Sequence, residues 1–295
     1  MKKITQLLRE KKTLVSDGAW GTMLQAKGLK TGECPELWNI THRVEVLSIA
    51  KAYINAGSDM IGTNSFGGNK FRLEHYGLTE KQFELNKAAA EISKEAAGNR
   101  IVLGSIGPSG KMLLMGDITE EELYETYKVQ AIALQEGGAD AACIETFSAI
   151  DEAVIAIKAV KENSELEIIS TFTFEKTVDN EFKTMMGVSV ASFVEAVIEA
   201  GAGIIGTNCG NGFDTMVGIV KEMRIVNSDI PIIVQANAGL PTIKENKLYY
   251  PESPGFVAGV VPKLVEAGVN IIGGCCGTTP EHIEEIKTVV ERLQS

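Results

Sequence analysis

The segment Ala200–Gly212, AGAGIIGTNCGNG, decides the fold, because its pattern recurs three more times along the chain. AGSDMIGTNSFG runs from Ala56, GGADAACIETFS from Gly137 and AGVNIIGGCCGTT from Ala267. Aligned on Gly57, Gly138, Gly201 and Gly268, each copy continues with mostly small and apolar residues. Seven positions on stand Asn64, Glu145, Asn208 and Cys275; one further on stand Ser65, Thr146, Cys209 and Cys276. Each copy reads as a helix end, a glycine stop, a short strand buried on both faces and a polar strand end.

The copies lie 81, 63 and 67 residues apart. A strand-plus-helix unit takes roughly 30–40 residues, so each gap holds a second unit. The intervening strands are Thr13–Asp17, Ile101–Ser105, Glu167–Thr173 and Pro231–Ala236. Helical stripes separate them, as at Val190, Phe193, Val194, Val197 and Ile198, and at Ile283, Ile286, Val289, Val290 and Leu293. Capping boxes stand at Thr119–Glu122 and Thr79–Gln82, and Thr279-Pro280 reads as an N-cap and first helical residue. Eight alternating units predict a (β/α)8 TIM barrel, with a doubly wound open sheet as the alternative. No composition break divides the chain, so one domain over 1–295 is expected.

The chain has 295 residues, 28 Lys and Arg against 39 Asp and Glu, and a net charge of −11. That balance argues against nucleic acid or an anionic membrane surface as the main partner. No apolar run approaches the roughly 18 residues of a membrane span, and MKKITQLLREKK lacks the core of a signal peptide. A cytoplasmic protein is expected.

In such barrels the chemistry collects at the C-terminal ends of the strands. That rim is predicted to carry Asp17 and Gly18, Asn64 and Ser65, Ser105–Gly110, Glu145 and Thr146, Asn208 and Cys209, Asn237, and Cys275 and Cys276. Of five cysteines, three fall on two of these strand ends. A Cys-Cys pair alone suits a crowded turn equally well. The repeat register places Cys209 on the same rim, which points to a soft metal, zinc above others, with one position open. Zinc with three thiolates carries about −1, activates water poorly and favours the thiolate form of a bound thiol. Glu145 suits an ammonium group, a structural ion pair being its alternative. Backbone around Asp17 and Gly18 suits a carboxylate, with a turn role for Asp17 as the alternative. Together these describe a thiol amino acid.

DGAWGT (17–22), GSDMIGTNSFGG (57–68), IGPSG (106–110), IETF (144–147), TNCG (207–210), NAG (237–239) and GGCCGTTPEHI (273–283) resemble, in order and spacing, the homocysteine S-methyltransferase family. The nearest likeness is to the homocysteine-binding domain of cobalamin-dependent methionine synthase. The resemblance implies a TIM barrel with zinc on Cys209, Cys275 and Cys276, and homocysteine bound by its sulfur to the metal. Its amino group would lie near Glu145, with backbone contacts at Asp17 and Gly18. Asn237 resembles a family position beside the metal, a fourth ligand when substrate is absent. Ala236 and Gly210 depart from the residues usual in the family beside these ligands. No Asp-x-His-x-x-Gly corrinoid motif occurs, since Ile40, Leu73 and Pro280 stand two before the three histidines. A methyl-corrinoid donor is therefore expected on a separate protein.

The competing donors are S-methylmethionine and betaines, for which Trp20, Phe66 and Phe147 are the candidate rim aromatics. A third reading is a barrel subunit that acts by docking in a methyl-transfer assembly. A lyase or aldolase is disfavoured, because no rim lysine stands at a strand end. His42, His75 and His282 read as surface residues, Cys143 as core, and Cys34 as an exposed thiol.

Overall fold

A computed structural model describes residues 3–244 and 247–295. Eight parallel strands form the core: β1 (Leu14–Val15), β2 (Met60–Gly62), β3 (Ile101–Ile106), β4 (Ala141–Phe147), β5 (Glu167–Phe172), β6 (Ile204–Gly212), β7 (Ile232–Asn237) and β8 (Ile271–Gly274). Each is followed by an outer helix: α1 (Arg43–Asn55), α2 (Gln82–Ala97), α3 (Glu120–Glu136), α4 (Ile150–Asn163), α5 (Val190–Ala200), α6 (Phe213–Val226), α7 (Pro254–Glu266) and α8 (Pro280–Gln294). The spatial order is β1-β8-β7-β6-β5-β4-β3-β2, the sequence order of a TIM barrel taken around its ring.

The seam between β1 and β2 is closed by two carboxylates rather than a strand ladder. Asp59 donates its N–H to the Val15 carbonyl at 2.7 Å and accepts the Val15 N–H at 3.0 Å. Asp17 accepts the Gly62 N–H at 2.8 Å.

Alternation along the strands sorts the core into two layers. Leu14, Met60, Ile101, Leu103, Cys143, Ile169, Ile204, Ile233 and Ile271 fill the barrel interior. Their neighbours in sequence, such as Val15, Ile61, Val102 and Ile205, pack outward against the helices. Cys143 is core, as expected. Ile4 of a short leading helix (Ile4–Glu10) joins the interior cluster. Glu167 anchors that helix by accepting the Ile4 and Thr5 backbone N–H groups.

The stripes of α5 and α8 are buried as expected, apart from Leu293, which is exposed, and Ile198, which is partly buried. Thr119 and Glu122 form their capping box, and Thr279 caps α8 with Pro280 in its first turn. The box expected at Thr79 is absent. Residues 79–81 form a single 3-10 turn, and Gln82 reaches across to the Thr126 carbonyl. Two small hairpins, pairing 175–176 with 182–183 and 242–244 with 247–249, rise from the rim after β5 and β7. Among the described residues, no helix is long and apolar enough to cross a membrane.

Candidate metal centre

Two strand ends depart from regular pairing, and both carry site residues. Between Ile144 and Phe147, β4 holds one residue more than β5 opposite it; between Asn208 and Gly212, β6 holds two more than β7. Such bulges re-aim side chains at barrel rims. Thr146 and Cys209 take left-handed φ values of 66° and 57°, a conformation that L side chains resist. The buried Asn208 amide holds both bulges. Its carbonyl accepts from the Thr146 N–H (2.9 Å) and the Thr171 hydroxyl (2.8 Å), and its NH2 donates to the Thr146 hydroxyl (2.7 Å).

The Cys275–Cys276 pair sits on an equally fixed turn. Cys275 N–H donates to the Ala236 carbonyl at 2.7 Å, and the Cys276 carbonyl accepts from Ala238 N–H at 3.0 Å. The Thr278 hydroxyl donates back to the Cys275 carbonyl at 2.7 Å. A Cβ on Gly18 would lie 2.8 Å from that hydroxyl oxygen and from the Tyr53 ring, so only glycine lets β1 approach this turn so closely.

The structure brings Cys209, Cys275 and Cys276 together, with all three Sγ atoms within 4.8 Å of one another and half-buried. Hydrogen bonds from the other two thiols, the Gly210 N–H and the Asn237 side chain pull Cys209 well below an ordinary thiol. Cys275 and Cys276 are pushed up in turn, by sharing hydrogen bonds with a neighbouring thiolate and by burial. Loss of one proton makes the next harder to lose, so a metal cation is what would let all three ionise. Asn237 Oδ1 is buried without a hydrogen-bond partner, while its amide serves Cys209. Three thiols and a spare amide oxygen suit zinc in a tetrahedral site.

Two carboxyls face the same mouth. Burial pushes Glu145 up to about 7; the Ser105 hydroxyl bonded to it opposes this, while Asp17 and Cys209 add to it. Burial likewise pushes Asp17 up to about 6 against hydrogen bonds from Gly62, Trp20 and Ser16. No cationic side chain is among the groups that set either acidity. Asn64 and Ser65 lie at the β2 end, with their side chains engaged. Asn64 donates to the Pro35 carbonyl (2.7 Å) and Asn39 (3.0 Å), and Ser65 to the Ser105 carbonyl (2.7 Å).

Three expectations are corrected. Phe147 is fully buried beside Tyr127 and is no rim aromatic. Cys34 is buried in a small cluster with Leu73 and Leu85, within 3.4 Å of the Glu36 carboxylate. His282 is buried in the first turn of α8, accepting the Thr279 N–H at Nδ1, with Nε2 2.9 Å from the Glu252 carbonyl oxygen. His42 and His75 are exposed, as expected. One neighbour of the cysteine pair had no signal in the sequence: Tyr250, whose ring lies over Gly277, the residue after Cys276.

The homocysteine S-methyltransferase family model matches residues 14–290. Methionine synthases of Mycobacterium leprae and Mycobacterium tuberculosis are each 30% identical, over 95% and 96% of this chain. The chain spans about a quarter of the length of these curated relatives (24% and 25%). The fold matches the metallated form of the homocysteine methyltransferase MmuM from Escherichia coli with a TM-score of 0.79 at 21% identity, covering 96% of this chain and 98% of that one.

Proposed function

The chain belongs to the homocysteine S-methyltransferase family, and from that premise we propose that residues 1–295 form a homocysteine-binding barrel that transfers a methyl group to the substrate sulfur, giving methionine. The observation that carries this reading is the three-thiol cluster beside the carboxyls of Asp17 and Glu145, for which no cationic partner stands among the described residues. Cys209, Cys275 and Cys276 would hold zinc, with Asn237 as fourth ligand before substrate arrives. When bound, zinc supplies a site at which the homocysteine thiol is kept as its thiolate at neutral pH.

The remaining work falls to the chain. Glu145 takes the substrate ammonium, and the Ser105 hydroxyl orients its carboxylate. Asp17 and the close-packed backbone at Gly18 line the substrate's carboxylate end. Asn64 and Ser65 shape the wall between β2 and β3 through the bonds described above. The substrate is thus aligned so that its sulfur attacks the methyl carbon in line. A C–S bond forms while the bond to the carrier breaks, and that electron pair stays with the carrier.

For the donor we favour a methyl-corrinoid held by a separate protein. Leu114, Met115, Met185 and Ile243, on the rim loops after β3, β5 and β7, are each more than 70% exposed. An apolar rim of this kind suits a macromolecular donor better than a small cation. The test is methionine formation by the zinc-loaded protein from homocysteine and methylcobalamin, with S-methylmethionine and glycine betaine in parallel. Turnover from methylcobalamin alone is expected. Turnover only with a sulfonium or betaine would overturn the donor assignment and leave the thiol chemistry standing. A protein that keeps both zinc and activity after Cys275→Ala would overturn the metal assignment itself.

A further inference from the structure

Above the apolar residues that fill the barrel, the strands carry one more inward-facing layer. Inward and outward residues alternate, so the layer lies two positions beyond the uppermost interior residue of each strand. Three strands place glycine there (Gly62, Gly206 and Gly273), and three place a short hydroxyl (Ser16, Ser105 and Thr171). Only β4 and β7 contribute long side chains, Glu145 and Gln235. These strands stand three apart in a ring of eight, so the two side chains enter the barrel from nearly opposite walls.

The hydroxyls of this layer are already engaged. Ser16 donates to Asp17 (3.1 Å), Ser105 to Glu145, and Thr171 to Asn208 (2.8 Å). Gln235 is not: it is 8% exposed, and its Oε1 is buried with no hydrogen-bond partner among the described residues. Its neighbours in register do not serve it. Gly273 has no side chain, and the Asn208 amide is turned to Thr146 and Thr171. A buried acceptor left unpaired is unfavourable, so a donor from a ligand would relieve it. The other buried unpartnered oxygens lie elsewhere or have a use. Those of Gln130 and Ser170 belong to α3 and to the outer face of β5, and that of Asn237 is the candidate metal ligand.

We propose that Gln235 is a specificity-determining residue, whose Oε1 accepts one N–H of the substrate ammonium from the wall opposite Glu145. The proposal rests on the reading of Glu145 given above. An ammonium carries three N–H donors. They diverge tetrahedrally, so one carboxylate cannot take them all, and one Glu145 oxygen is already bonded to the Ser105 hydroxyl. Homocysteine offers no other strong donor once its thiol is ionised. An unspent acceptor in this layer therefore selects for the amino group and against a thiol that lacks it.

The test compares homocysteine with 4-mercaptobutyrate, the same molecule without its amino group, by calorimetric titration of the zinc-loaded protein. Gln235→Met keeps the length of the side chain and removes the acceptor. It should weaken homocysteine binding about tenfold and leave 4-mercaptobutyrate within about twofold of wild type. Gln235→Glu returns an oxygen to the same place and should restore homocysteine binding to within about threefold of wild type. Two ligands are compared on one protein, so a change in stability does not produce this pattern. Weakening of both thiols alike, or of neither, overturns the proposal, as does Gln235→Glu binding homocysteine as poorly as Gln235→Met. The reading of Glu145 fails separately: a wild type that binds the two thiols equally has no ammonium subsite, and the proposal falls with it. A preference for homocysteine that Glu145→Gln loses and Gln235→Met keeps leaves Glu145 in its role and removes Gln235 from it.

Discussion

Replacing Glu145 by glutamine should stabilise the metal-free protein at alkaline pH while weakening homocysteine binding. Glu145 is held at about 7 against an ordinary 4.5, mainly by burial. A carboxyl whose folded value is raised binds its proton more tightly in the native state than in the unfolded one. Its contribution is therefore fully present below about pH 4.5 and is lost as the pH rises through about 7. At about 1.4 kcal/mol per pH unit, the interval corresponds to about 3 kcal/mol. Part of that reflects Asp17 and Cys209, which remain charged in the variant, so it is an upper bound. Glutamine keeps the shape and an acceptor for the Ser105 hydroxyl without the buried charge.

For a chain of this length, about 2 °C of melting temperature accompanies each kcal/mol. Under reducing, chelated conditions the variant should melt about 5 °C above wild type at pH 8 and level with it near pH 4.5. Calorimetry at the two pH values is the assay. An equal shift at both, or a lower melting temperature at pH 8, would refute the claim that the surroundings of Glu145 disfavour its charged form. In the wild type, an incoming ammonium should expel the Glu145 proton. Homocysteine binding to the zinc-loaded protein should accordingly strengthen as pH rises from 5.5 to 7.5, a slope that Glu145→Gln removes.

Cys275→Ala should weaken zinc binding by about 100-fold or more, measured by chelator competition, because one of three thiolates is lost. Asn208→Ala releases Thr146 and Thr171 together. It should cost about 2–3 kcal/mol in denaturant unfolding and lower zinc affinity about tenfold, since the Cys209 bulge loses its clamp. Glu167→Ala removes the acceptor that anchors the leading helix and should cost about 1–2 kcal/mol, with hydrogen exchange rising first in residues 4–10.

The barrel was legible because its signal is repeated. Four glycines in register mark four strand starts, and the same register carries Glu145, Cys209, Cys275 and Cys276 to one rim. What the repeat cannot carry is the local backbone that makes those positions converge. The extra residues in β4 and β6, and the left-handed turns at Thr146 and Cys209, arise from partners on other strands. Burial was misjudged where it depends on such partners. Phe147 follows a polar pair yet enters the core; Cys34 sits in a polar-looking loop yet packs on Leu73 and Leu85; His282 opens a helix yet is covered by Glu252. Tyr250 lies in an unpatterned stretch after β7, and only the fold brings its ring over Gly277 beside the cysteine pair.

The acidity of the mouth explains why these residues sit together. Asp17, Glu145, Cys275 and Cys276 are all displaced toward their protonated forms, and Cys209 alone is pulled the other way. Left to itself such a site resists its own ionisation, which is unfavourable for folding and has no structural use. Two positive charges would relieve it: a divalent metal among the sulfurs, and an ammonium against Glu145. A thiol amino acid brings the second charge and adds a fourth sulfur to the first. Its sulfur and its ammonium must then be spaced as the cluster and Glu145 are spaced across the barrel mouth. That requirement makes chain length between the two groups a test of the assignment. Cysteine, one methylene shorter than homocysteine, should satisfy one charge at the expense of the other, and its binding should be at least about tenfold weaker. Equal binding of the two thiols in calorimetry of the zinc-loaded protein would mean that Glu145 does not hold the ammonium.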